Sequence, residues 1–147
     1  LKRNALKCIV LTIFETNKKM NVNMISWFEV PVLDMDRAKK FYETVFNVQI
    51  SVNNFGGVLM GWFPVSEKST VPGITGSLVL QEDYIPSATH GTLVYFNSQT
   101  GDINDELKRI ETAGGKILRP KTLISDEIGY MAVILDSEGN RIALYNK

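Results

Sequence analysis

One plan written twice constrains this chain more than any motif in it. A strand, a capped helix and three further strands are followed by the same series again. The first copy opens with SWFEVPVLDMDRAKKFYETVFN over residues 26–47. In an extended run Phe28, Val30 and Val32 share one face, and Trp27, Glu29 and Pro31 share the other. The first set is apolar and is expected to pack on a helix. The second mixes a large aromatic with a carboxylate, so it faces water or a polar cavity. Asp34 stands where an N-cap belongs, with a carboxylate able to accept from the free N–H groups of the first turn. Ala38, Phe41, Tyr42, Val45 and Phe46 then recur at helical spacing along one stripe. Asp36, Arg37, Lys39, Lys40, Glu43 and Thr44 take the solvent side, with Asp36 and Lys40 spaced for an ion pair. Asn47 is a suitable stop.

The remaining strands of the first copy are read at Val48–Val52, Val58–Phe63 and Gly76–Gln81. Asn53–Gly57 supplies a turn, residues 64–75 a loop and Glu82–His90 a connector. The second copy starts with a strand over Thr92–Ser98. Asp102 caps a helix whose apolar positions are Ile103, Leu107, Ile110 and Ala113, and Gly114 or Gly115 provides its left-handed end. The next strand is read over Lys116–Leu118 with Thr122–Ser125, Arg119 and Pro120 breaking the run between them, and another follows at Gly129–Leu135. Asp136–Asn140 is a tight turn, and Arg141–Tyr145 the last strand.

The fold expected is α+β: two βαβββ modules, about 25–88 and 89–147, forming one domain over 25–147. Each module curves its mixed sheet with a helix on the outside, and together the sheets enclose a trough. Residues 1–24 read differently, basic, then apolar over Cys8–Phe14, then basic again. The apolar run is too short to span a bilayer, and no small-residue cleavage pattern follows it. The segment is expected to be an accessory extension without chemistry, or an extra strand or helix, or an upstream extension, since Met20 and Met24 precede the first clear strand.

Charge narrows the partners. Sixteen Lys and Arg balance sixteen Asp and Glu, which speaks against a nucleic-acid binder, a chain that needs a basic stripe to displace counterions. Cys8 is the single cysteine and is expected to be a buried small hydrophobe. It allows no intrachain disulfide, so a cytoplasmic setting is expected, with no membrane partner.

Three passages carry a family resemblance: FEVPVLDMDRAKKFYETVF, LVYFNSQTGDINDELKRIETAGGKI and LDSEGNRIALY. With the strands between them they span residues 25–146, and the chain resembles the vicinal oxygen chelate superfamily. That group contains glyoxalase I, bleomycin-resistance proteins, fosfomycin-resistance proteins and extradiol dioxygenases. The resemblance implies a homodimer. It also implies a divalent metal in the trough of catalytic members, held by two His and one or two Glu. Neutral imidazoles and carboxylates suit such an ion with open positions for substrate.

Carried over one at a time, the family's ligand positions fall on Trp27, on Leu93, on Ala143 and near Leu78. None can ligate. His90 is the only histidine, so one chain cannot build a site of two, and a loop-end role is expected for it. Glu82 and Asp83 lie near the fourth position but at a strand end. No cofactor is therefore expected.

If the strand phases hold, the trough is lined by Trp27, Glu29, Pro31, Leu93, Tyr95, Asn97, Arg141, Ala143 and Tyr145. This is an aromatic pocket with one carboxylate, one guanidinium, one amide and two phenols. The residues expected to bind a ligand are Trp27, Glu29, Leu93, Tyr95, Asn97, Arg141 and Tyr145. Glu29 is the one weak candidate for a catalytic base; its structural alternative is a pair with Arg141 or a cap on backbone groups. Arg141 could clamp a carboxylate or phosphate, or point to solvent. Trp62 and Tyr130 fit core and pocket equally well. The function expected is small-molecule binding in the trough without a metal. The alternatives are a metal-dependent glyoxalase-type lyase, isomerase or dioxygenase with an unusual site, and a non-catalytic regulatory or assembly module.

Overall fold

The computed structural model describes residues 25–66 and 73–147; Cys8 and the rest of 1–24 lie outside them. β1 (Phe28–Pro31) turns at Asp34 into α1 (Met35–Phe46). Asp34 Oδ1 accepts from the Arg37 N–H at 3.0 Å, and Asn47 closes the helix in the left-handed region with φ 53°. The predicted stripe is buried in full, and Met35 joins it. The expected Asp36–Lys40 pair does not form. Lys39 pairs with Glu43 instead, and Glu43 also accepts from the Ile50 N–H at 2.8 Å, which draws it off the solvent face.

β2 (Ser51–Phe55), β3 (Val58–Trp62) and β4 (Gly76–Leu80) complete a sheet in the order β1-β4-β3-β2, with β1 parallel to β4. β2 begins three residues later than the spacing predicts, and Asn53, Asn54 and Phe55 belong to it. Gly56 and Gly57, with φ 64° and 103°, make a two-residue hairpin, and Asn54 Oδ1 accepts from the Gly57 N–H at 2.8 Å.

The second module repeats the plan. β5 (Tyr95–Asn97) leads to α2 (Ile103–Ile110), then β6 (Lys116–Ser125), β7 (Gly129–Leu135) and β8 (Arg141–Asn146), ordered β5-β8-β7-β6. β5 is shorter than expected at its start. Asp102 caps α2 through the Asn104 N–H, and Gly114 takes the left-handed position after it, φ 94°. The break expected at Arg119 and Pro120 is absent. β6 runs through both with register shifts against β7, because it is an edge strand where a missing N–H costs no ladder bond.

One core joins the halves. Val30, Val32 and Leu78 from the first sheet and Ala132, Ile134, Ile142 and Leu144 from the second bury together with both helices. The helix-bearing faces of the two sheets therefore share that core, with the two helices in contact, and each helix-free face points away from it. Phe28 of β1 and Phe96 of β5 touch edge to face, with ring centres 5.5 Å apart, and Phe63, Tyr42 and Phe46 close around Phe96.

A polar lock fastens the same junction. The fully buried Tyr42 hydroxyl donates to Asp136 Oδ2 at 2.7 Å. Asn140 Nδ2 donates to Asp136 Oδ2 and to the Pro31 carbonyl, at 2.9 and 2.8 Å. Glu138 Oε2 accepts from the Leu33 and Asp34 N–H groups, both at 3.0 Å, while Arg37 grips both its oxygens at 2.7 and 2.8 Å. The 136–140 turn of the second module thus caps the strand-to-helix corner of the first.

Candidate functional site

β1 and β5 are edge strands, each paired on one side only. Between them runs a cleft of about 920 Å³, lined in part by the 84–92 connector. Backbone alternation explains its lining. Val32 donates to Val79 and Val94 accepts from Ala143, so Val30 and Phe96 bond within their own sheets. Glu29 and Tyr95, one residue out of phase, leave their backbone groups to the free edges.

The structure brings seven of the nine expected trough residues to this cleft: Trp27, Glu29, Pro31, Leu93, Tyr95, Asn97 and Arg141. Ala143 and Tyr145 do not line it. Ala143 is buried in the second sheet opposite Tyr95 and Val133, and the Tyr145 hydroxyl is spent on the Ile128 carbonyl. The lining also includes Phe28, Val30, Phe63 and Phe96, whose strand phase assigns them to the core side. A cleft along strand edges exposes both phases, which an alternation argument sorts onto opposite faces.

Glu29 is exposed rather than half-buried. Among the described residues it forms neither an ion pair with Arg141 nor a backbone cap. Arg141 is likewise exposed, without an ion pair among the described residues. Trp27, 36% exposed, meets Trp62 edge to face at 6.0 Å, and Trp62 stacks on Phe55 at 5.5 Å with an 8° tilt. Trp62 is thus neither core nor cleft lining but part of an aromatic row on the helix-free face. Tyr130 is on the helix side, under the Lys121 ammonium. His90 lines the cleft, its Nδ1 2.8 Å from Thr89 Oγ1 and its backbone N–H bound to Ser87 Oγ.

Leu78 faces the core. The residue of β4 that shares the Glu29 face is Ser77, fully buried, and its Oγ has no hydrogen-bond partner among the described residues. Among the described residues no three His, Cys, Asp or Glu side chains come together. Trp27, Leu93, Ala143 and Ser77 do not fit the divalent ion that the resemblance implies.

Comparison with known proteins agrees with the repeat. A family model described as the Glyoxalase/Bleomycin resistance protein/Dioxygenase superfamily matches residues 24–144. The chain belongs to this superfamily. Among solved structures it is similar to FosX, a genomically encoded fosfomycin resistance protein from Listeria monocytogenes. That match has TM-score 0.59 and 14% identity, and covers 87% of this chain and 93% of that one. It is also similar to a glyoxalase/bleomycin resistance protein from Albidiferax ferrireducens T118, with TM-score 0.57, 18% identity and 85% and 99% coverage. Glyoxalase I from Zea mays matches with TM-score 0.58 and 18% identity over 82% of this chain, which spans only 44% of that protein. At these identities the likeness shows the fold alone. No curated protein sequence matches the chain. Among the described residues no helix is long and apolar enough to cross a membrane.

Proposed function

We propose that this chain binds a small, flat, partly polar organic molecule in the cleft between β1 and β5, by packing and hydrogen bonding rather than through a divalent ion. One observation carries the reading. The positions where the superfamily places metal ligands hold Trp27, Leu93, Ala143 and the Leu78 neighbourhood, while the same cleft offers Trp27 and Tyr95 as flat walls and, among the described residues, leaves Glu29 and Arg141 without ion pairs. Aromatic walls supply contact area, and a few polar groups fix orientation. The site residues proposed are Trp27, Glu29, Leu93, Tyr95, Asn97 and Arg141. A homodimer in a reducing cytoplasm is the setting proposed with it.

The test is elemental analysis of protein produced with added zinc, nickel, iron and manganese, followed by a thermal-shift screen of planar compounds. Metal far below stoichiometry, with a compound whose stabilisation is lost in Trp27→Ala, is the expected result. Stoichiometric metal removable by a chelator would overturn the reading. A second reading, a lyase, isomerase or dioxygenase with recruited ligands, draws on the presence of His90 and Glu29 in the same cleft. Activity abolished by chelator and restored by a divalent ion would establish it.

A further inference from the structure

The chain neutralises its cations selectively. Ten Lys and Arg residues are described, and five of them, Arg37, Lys39, Lys108, Arg109 and Lys121, stand in ion pairs. Of the other five, three converge on one surface. Arg141 of β8 is opposite Leu135 of β7, and Leu135 is opposite Lys116 of β6, so these three side chains form one cross-strand row. Arg119 is opposite Val133, one row further along the same face. That is the helix-free face, because the intervening Ile117, Ile134 and Ile142 pack in the core. Strands sit about 4.8 Å apart, which places Lys116 and Arg141 about 10 Å apart at the backbone, within reach of one anionic group for side chains of this length. No Asp or Glu occupies the helix-free phase of β5, β6, β7 or β8, and all three cations are exposed. In a chain with no net charge, such segregation gathers positive charge on a face whose own four strands carry no carboxylate.

We propose that this row is an anion site, in which Arg141, at the cleft, and Arg119 and Lys116 behind it hold the phosphate or carboxylate group of the molecule the cleft takes. The inference rests on the cleft reading above and names its ligand class: an organic anion whose flat part lies toward Trp27. Arg141 is the hinge of the argument, being the one member of the row that also lines the cleft. A guanidinium presents paired donors that match a planar carboxylate or a phosphate edge, and the flanking cations add charge without demanding geometry.

The experiment uses the full chain with inorganic pyrophosphate and benzoate as probes, titrated by calorimetry at low and at physiological ionic strength. Saturable binding of one or both is expected, weakening as salt rises. Arg141→Ala should weaken it by about tenfold or more, Arg119→Ala and Lys116→Ala by less, and Lys40→Ala not at all. Pyrophosphate alone binding identifies a phosphate source, and benzoate alone a carboxylate source. No saturable binding of either probe, or equal losses from Lys40→Ala and Arg141→Ala, overturns the anion site. A neutral planar compound that still binds in a Trp27-dependent way would leave the cleft reading standing while the anion site fails.

Discussion

The 136–140 turn and the β1–β5 cleft adjoin at Asn140 and Pro31, yet treat polar groups in opposite ways. At the turn, Asp136, Asn140 and Glu138 spend their side chains on Tyr42, Pro31, Leu33, Asp34 and Arg37. At the cleft, Glu29 and Arg141 have no such partners among the described residues, and Trp27, Tyr84 and Tyr95 stay exposed beside them. Buried polar groups are costly unless paired, so the first region answers to stability. Exposed, unspent groups cost the fold little and are free to meet something else. The division teaches where to look for binding in this chain, and each of the following measurements would break it or sharpen it.

The largest effect is expected at Asp136. Asp136→Ala removes the acceptor for Tyr42 and Asn140 and for two backbone N–H groups, and should cost about 3 kcal/mol or more in urea unfolding. A loss below about 1 kcal/mol would mean the lock is not what joins the modules. Tyr42→Phe keeps the ring and should cost about 1 kcal/mol.

Glu138→Gln should follow at about 1–2 kcal/mol, with a pH signature. Burial opposes the charge on Glu138, but Arg37 and the Leu33 and Asp34 N–H groups outweigh it and hold the carboxyl below its ordinary range. A carboxyl lowered in the folded state adds stability at neutral pH, and that share vanishes as pH falls from the ordinary carboxylate range through the lowered folded value. Asp136 acts with the opposite sign. Burial raises its carboxyl despite bonds from Asn140 and Tyr42, so its contribution declines as pH rises through the raised folded value. Glu138→Gln should flatten the acid limb of the stability curve, and Asp136→Asn the limb above it. Unchanged limbs in both variants would show that neither carboxylate is linked to folding.

At the cleft the ranking reverses. Trp27→Ala should cost at most about 1 kcal/mol of stability, because the ring is partly exposed, yet abolish binding of a planar ligand in fluorescence titration. Glu29→Gln should leave the melting temperature unchanged while altering ligand preference. A lowered melting temperature would reveal a structural partner for this carboxylate. The smallest effect is expected at Ser77→Ala, neutral or slightly stabilising by calorimetry, because the buried Oγ gives up no hydrogen bond within the described residues.

Much of this was legible along the chain. The caps at Asp34 and Asp102, the stop at Asn47, the buried stripe of α1 and the two-module plan follow from local rules, because caps, turns and helical spacing involve residues a few positions apart. Strand phase placed seven cleft residues for the same reason. It misplaced Ala143, buried within the second sheet, Tyr145, whose hydroxyl is claimed by Ile128, and β6, where Pro120 reads as a break but is tolerated at an edge. Whether a strand is an edge is a property of the sheet and is absent from the strand's own residues.

The sequence by itself determined the elements, their order and a supply of one histidine, since identity and short-range periodicity suffice for each. Only the tertiary structure decided that Glu138 grips Arg37 from 101 positions away, that the helix-bearing faces share one core, and that Lys116, Arg119 and Arg141 fall on one face. The physical reason is that register and packing pair residues distant along the chain, and no local pattern encodes which partner a charged side chain will find.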